Sequence, residues 1–234
     1  MLSPKQTIEN ATKSPLLCGL PEHLSGALFK GATPVRLEVN QALFYAGDAG
    51  DGCYRVDDGL LKVTMLSPFG SERILAFLGS GTIVGELSMI DGLPRSASVV
   101  AVRPAALSFV SRAAFKTFAK KHPELYEYLV TLLAARLRET NAAIAAGSFL
   151  SRKGRLACTL LELAGEFGQD VGDGQTVIRQ KIGQSDLAAM TGIARESANR
   201  IINDWERRKM ISRSSGYYCI ENKDQLQREA ELSY

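Results

Sequence analysis

Three features of the sequence predict an α+β fold in two domains. Between residues 35 and 110, short runs rich in Val, Ile, Leu, Phe and Tyr alternate with clusters of glycine and aspartate, the texture of a jelly-roll β-domain. Residues 112–146 then carry leucines at helical spacing, which predicts one long helix. Beyond residue 184 come a short helical stretch, a Thr191-Gly192 turn, a longer helical stretch and a hairpin, which is the layout of a winged helix-turn-helix. The expected boundary lies near Gly147–Ser151, giving an N-terminal domain of residues 1–147 that includes the long helix and a C-terminal domain of residues 148–234.

Taken in order, residues 1–33 read as a helical lead-in, with Leu16, Leu17, Leu20, Leu24, Leu28 and Phe29 on one face and Pro21 early in the helix. Strands are expected at 35–39, 41–45, 53–56, 60–65, 73–77, 98–102 and 106–110, with Asp57-Asp58-Gly59 and Ser67-Pro68-Phe69-Gly70 among the turns. In the long helix Leu125, Leu129, Leu132, Leu133, Leu137 and Ile144 form the apolar stripe, which packs on the β-domain or pairs with a second copy. Gly147 and Ser148 break that pattern, and Ser151 is placed to cap a helix over 152–167, closed by Gly165, Gly168 and the Gly172-Asp173-Gly174 turn.

Composition narrows the function. Hydrophobic residues make up 45% and charged residues 23% of the 234, as in an ordinary globular chain. A net charge of +3 is too small for a polycation, so any nucleic-acid contact has to come from a local patch. Cys18, Cys53, Cys158 and Cys219 are scattered and form no C-x-x-C pair, and His23 and His122 match no metal-ligand spacing. The cysteines therefore read as reduced apolar fillers, no metal is expected, and a cytoplasmic location follows. No signal-peptide pattern and no apolar run of membrane-spanning length is present. Catalytic signatures such as H-E-x-x-H, a P-loop or a nucleophile elbow are absent from the sequence, so an enzyme is not expected.

The segment from Gly85 to Ala97 (GELSMIDGLPRSA) interrupts the strand series and carries one carboxylate and one guanidinium close together. A cyclic nucleotide suits both. Its phosphodiester matches the planar fork of Arg95, and its ribose 2′-hydroxyl is a donor that Glu86 can accept. Gly85 allows backbone N–H groups to approach an anion. A Glu–Arg pair in an isolated loop is more often a weak surface ion pair. What gives this one weight is its place inside a strand series and ahead of a long helix.

The second constellation is C-terminal. Gln184 or Ser185 is expected to cap a short helix over 186–190, and a second helix to run over 194–209. Leu187, Ala188, Ile193, Ala198, Ile201, Ile202, Trp205 and Met210 can form the interior, leaving Arg195, Glu196, Asn199 and Arg200 projecting from the first turns. Arginine offers paired donors to guanine and glutamate accepts from cytosine. Residues 179–216 hold eight basic and four acidic residues, an excess larger than the net charge of the whole chain. Gln184, Ser185 and Arg213 are candidate phosphate contacts.

This order of parts resembles the cyclic-AMP receptor protein branch of the CRP/FNR transcription regulators, from about Leu16 to Ile220. The most specific pieces are Gly85-Glu86-Leu87 with Pro94-Arg95-Ser96-Ala97, the run FLSRKGRLACTLLELA over 149–164, and Ile193-Ala194-Arg195-Glu196-Ser197-Ala198-Asn199-Arg200-Ile201. The resemblance implies that Glu86 binds the ribose hydroxyl, and that Arg95, Ser96 and the backbone about Gly85 and Leu87 hold the cyclic phosphate. It implies that Arg136 and Thr140 reach the ligand from the long helix, and that Asn141 reaches it from the partner subunit. It further implies a homodimer, double-stranded DNA with a palindromic TGTGA-like operator, base reading by Arg195, Glu196 and Arg200, and RNA polymerase as a partner. The ligand would be cAMP. Asparagine at 141, where many such receptors carry serine, offers both donor and acceptor and leaves cGMP open. Two alternatives stand beside this reading: a regulator with a vestigial pocket that binds DNA without ligand, and a cyclic-nucleotide-binding regulatory subunit of an enzyme.

Overall fold

The computed structural model describes residues 20–231. Leu16, Leu17 and Cys18 of the expected lead-in lie outside them. The chain divides into two compact units, one ending at Leu137 and the other starting at Arg138.

The first unit is a β-roll. Helix α1 (Glu22–Leu28) starts behind Pro21, which occupies its N-cap. There follow β1 (Thr33–Leu37), β2 (Ala42–Phe44), β3 (Gly52–Leu66), β4 (Glu72–Leu78), β5 (Ile83–Val84), helix α2 (Glu86–Asp91), β6 (Ser98–Ser111) and helix α3 (Arg112–Lys121). The strands form one antiparallel sheet in the order β1-β6-β3-β4, with β2 also on β6 and β5 also on β3. One core cluster lies within the roll, built on Leu37, Val56, Leu61, Leu78, Val84, Val99 and Leu107. A second packs helices against the roll, joining Leu24, Leu28 and Phe29 to Cys53, Met89, Phe115, Leu125 and Leu129.

One expected turn is not a turn. Asp57-Asp58-Gly59 lies within the long strand β3, where the pairing with β6 shifts register between Val56 and Leu61. These shifts are bulges, which bend a strand without ending it. Gly59 enables the bend: its φ is +101°, and a Cβ there would come within 2.5 Å of the Pro104 carbonyl oxygen. Strands expected at 53–56 and 60–65 are therefore one element, as are those at 98–102 and 106–110.

The expected single helix over 112–146 is two. Helix α3 ends at Lys121, and helix α4 (Glu124–Phe149) begins beyond His122-Pro123. Pro123 has no N–H to donate and disfavours helical backbone at the preceding residue, so His122 sits at φ −131°, ψ 69°. Helix α4 also runs through Gly147 and Ser148 to Phe149, further than expected. Its leucines do not form one stripe. Leu125, Leu129 and Leu132 are buried, whereas Leu137 and Ile144 are 61% and 62% exposed and share an outward face with Val130 at 64%. The spacing of 130, 137 and 144 is a heptad step, and five residues separate 125 from 130, which turns the second face about 140° from the first.

In the second unit, α5 (Arg152–Phe167) starts where expected: the Ser151 hydroxyl accepts from the Gly154 N–H at 3.1 Å. A hairpin of β7 (Gly168–Gly172) and β8 (Gln175–Ile178) follows, turning at Asp173-Gly174, both with positive φ. Then come α6 (Gln184–Thr191), α7 (Arg195–Arg207), β9 (Ile211–Ser214), β10 (Tyr217–Ile220) and α8 (Lys223–Glu231). The four strands pair in the order β7-β8-β10-β9. The sequence reading missed β7 and β8 because β7 is exposed throughout, without a buried face to set an alternation. It also missed α8, which buries Leu226 and Ala230.

No described helix is long and apolar enough to cross a membrane.

Candidate functional site

Arg95 is the most constrained side chain of the first unit. Its backbone is pinned twice to the turn before β3: its N–H donates to the Asp48 carbonyl at 2.8 Å, and its carbonyl accepts from the Gly47 N–H at 2.8 Å. The residue is 4% exposed. Its Nη1 donates to the carbonyl oxygens of Gly52 and Gly85, at 2.8 and 3.0 Å, and its Nη2 lies 3.6 Å from the Asp51 carboxylate. The guanidinium rests over Phe44 at 4.3 Å from the ring centre, with Tyr54 at 5.8 Å. Its Nε is buried with no hydrogen-bond partner among the described residues. Gly85, which leads into α2 at φ +83°, has no room for a side chain, since a Cβ would stand 2.3 Å from Arg95 Nη1.

Glu86 is the first residue of α2 and only 1% exposed. A carboxylate this deep requires a cation or several donors. Arg136 of α4 supplies one, donating through Nη1 to Glu86 Oε1 and through Nη2 to the Ile83 carbonyl at 2.8 Å. Gly85, Glu86, Arg95 and Arg136 are thus brought together. Ser96 is exposed next to Arg95, and Leu87 is 41% exposed. Thr140 and Asn141 fall in the second unit, both exposed. Asp51, Phe44 and Tyr54 were missed by the sequence reading. Asp51 stands in a turn cluster that reads as solvated loop, and the two rings read as plain strand residues.

Cys53 lies beneath this cluster. Burial pushes its thiol up to about 12, and the Glu86 carboxylate pushes the same way while Arg95 opposes. Since the thiolate is the reactive form, Cys53 is expected to resist iodoacetamide at pH 8 in the folded protein and to react once urea unfolds it. Peptide mass mapping of the alkylated protein reads this directly.

In the second unit, the two-helix element is organised by its turn. Gly192 takes a left-handed conformation at φ 65° and its N–H closes α6 on Ala188 O at 2.9 Å. The Thr191 hydroxyl donates to Leu187 O at 2.8 Å. Helix α6 starts at Gln184 rather than being capped by it: the cap is Gly183, whose N–H donates to the Asp186 carboxylate at 3.1 Å. Helix α7 is shorter than expected at its end, because Lys209 turns to φ +53°. Leu187, Ala198, Ile202, Trp205 and Met210 are buried as expected.

The outward face separates into two halves. At the C-terminal end three arginines are paired: Arg207 and Arg208 with Asp204, Arg208 with Glu229 at 2.6 Å, and Arg213 with Glu206 at 3.4 Å. At the N-terminal end Arg195, Glu196 and Arg200 are exposed, and among the described residues the two arginines enter no ion pair. Asn199 does not project fully, since its side-chain oxygen is buried. Gln184 is half-buried and Ser185 exposed at the start of α6. Beside the β9–β10 hairpin, Lys181 lies 5.4 Å from the Tyr217 ring centre.

Comparison with known proteins agrees with this division. The cyclic nucleotide-binding domain family matches residues 34–122, and the Crp-like helix-turn-helix domain family matches residues 154–229. The chain is 31% identical over 212 residues to the CRP-like cAMP-activated global transcriptional regulator of Mycobacterium tuberculosis, covering 91% of this chain and 94% of that one. It is 34% identical over 197 residues to the cyclic AMP receptor protein of Thermus thermophilus, covering 81% and 84%. The fold matches the crystal structure of a CRP/FNR-family transcriptional regulator from Thermus thermophilus with a TM-score of 0.71 at 24% identity, over 86% of this chain and all of that one. These relatives are regulators rather than enzymes. A β-roll followed by a helix-turn-helix, matched along nine-tenths of the sequence, places the chain in the CRP/FNR family of transcription regulators.

Proposed function

We propose that this regulator is a cytoplasmic homodimer whose DNA binding is controlled by a cyclic nucleotide, cAMP in the first instance. The observation that carries the ligand reading is the buried guanidinium of Arg95, bonded to the Gly85 carbonyl, together with the buried carboxylate of Glu86, the next residue. Arg95 takes the cyclic phosphate, assisted by Ser96 and by backbone N–H groups at Gly85 and Leu87, and Glu86 accepts from the ribose 2′-hydroxyl. Arg136 pairs with Glu86 and orients it for that role. Thr140 and Asn141 meet the base, Asn141 from the partner subunit, and cGMP remains a second candidate because asparagine can both donate and accept. Calorimetric titration with cAMP and with cGMP tests this. Saturable binding of at least one supports it, and no heat from either rejects it.

The outward Val130-Leu137-Ile144 face of α4 is the dimer seam, and the segment near 147–151, where α4 gives way to α5, is the hinge. Ligand shifts the dimer toward a state in which two α7 helices stand about 34 Å apart, one turn of DNA. Arg195, Glu196 and Arg200 then read base edges of a palindromic TGTGA-like site, with Asn199 beside them. Gln184, Ser185 and Arg213 hold phosphates, Arg213 first leaving Glu206. RNA polymerase is the downstream partner. Arg200→Ala is expected to cost about 1–3 kcal/mol on the cognate site and to relax preference at one base pair. Fluorescence anisotropy on a panel of singly substituted operators measures it, and equal weakening on every sequence would assign Arg200 to a phosphate.

A further inference from the structure

We propose that Arg112 is a positioning residue for the ligand site: it grips the C-terminal end of α2 and so fixes the segment carrying Glu86 and Arg95 against the start of α3. This rests on the ligand reading given above. Helix α2 is six residues long, too short to hold its shape unaided, and its last carbonyls have no partner within the helix. Arg112, the first residue of α3, donates from Nε to the Met89 carbonyl at 2.9 Å and from Nη2 to the Ile90 carbonyl at 3.3 Å. A cation at the carbonyl end of a helix also complements its dipole.

The chain about α2 is shaped to receive this side chain. Gly92 follows the helix at φ +77°, and a Cβ there would stand 2.2 Å from Arg112 Nη1. Glycine is thus needed both for the backbone turn and to admit the guanidinium. The backbone of Arg112 reaches the other side of the site: its N–H donates to the Asp51 carbonyl at 2.7 Å, and the Asp51 carboxylate is the group 3.6 Å from Arg95. Arg112 therefore ties together the two segments that flank the anion position.

It also joins them to the helices that follow. Met89 of α2 shares one buried cluster with Phe115 and Ala119 of α3 and with Leu125 and Leu129 of α4. A shift of α2 on ligand binding is passed to α3 through both the guanidinium and this cluster. Without Arg112 the cluster remains but the polar hold on α2 is lost, so Glu86 and Arg95 are presented less often in their binding arrangement.

The test compares wild type with Arg112→Ala, Arg112→Lys and Lys116→Ala. Lys116 is exposed on the same helix and controls for the lost charge. Two readouts are used on the full chain: cAMP affinity by calorimetry, and hydrogen exchange at the Met89 and Gly92 amides without nucleotide. Arg112→Ala is expected to weaken cAMP binding about tenfold and to speed exchange at both amides. Arg112→Lys should recover part of each, and Lys116→Ala should change neither. If wild type binds cAMP and Arg112→Ala binds it equally well, the positioning role is overturned. If wild type binds no cAMP, the ligand reading fails, and the exchange measurement alone decides whether Arg112 holds α2.

Discussion

Arg95→Leu is expected to weaken cyclic AMP binding by about a hundredfold or more. The guanidinium is buried and aimed by two carbonyls and an aromatic ring. Truncating one partner of a buried, hydrogen-bonded charge pair costs about 2–5 kcal/mol, and about 1.4 kcal/mol is tenfold in affinity. Leucine keeps most of the apolar contact with Phe44 but cannot donate. Arg95→Lys restores a charge without the planar fork and should recover only part of the loss. Calorimetry measures each variant, and thermal unfolding confirms that it is folded. Wild-type affinity in Arg95→Leu would remove the phosphate from this site.

Leu137→Glu combined with Ile144→Glu is expected to convert a dimer into monomers. Both side chains are more than half exposed on a face that also carries Val130 one heptad earlier. An apolar heptad face of this kind is the seam of a paired helix. Four carboxylates at that seam, two from each copy, would repel one another in a low-dielectric environment. Because neither residue belongs to the core of its own chain, each domain should fold unchanged. Sedimentation at micromolar concentration gives the mass, and operator affinity should fall with it, since a monomer offers one half-site. A wild-type chain that sediments as a monomer would remove α4 as the seam.

Much of this was legible in the sequence because it rests on residues with local signatures. Ser151 was readable as a cap and Thr191-Gly192 as a helix-turn-helix corner, each having side-chain or backbone chemistry that few other contexts require. Glu86 and Arg95 carry no such local signature, and their weight in the sequence came from their place inside a strand series and ahead of a long helix. The errors arose where long-range pairing overrides local signals. Asp57-Asp58-Gly59 has turn composition, but continuous pairing of β3 with β6 carries the strand through it as bulges. The α4 leucines have one helical period but serve two faces, and only burial separates Leu129 from Leu137. Pro123 was visible and should have divided the helix, because the leucine stripe beyond it gives no sign of continuity before it. Arg112 was not legible at all: its partners are backbone carbonyls more than twenty residues away, and no sequence pattern records them.

The measurement closest to the central claim is the affinity for a palindromic TGTGA-like duplex, at one fixed salt concentration, with and without saturating cAMP. Salt must be held because phosphate contacts dominate its effect on affinity. The account predicts tighter binding with the nucleotide, and loss of that difference in Arg95→Leu while the nucleotide-free affinity stays the same. Equal affinity with and without cAMP in the wild type would contradict it and leave a regulator whose DNA binding does not answer to this ligand.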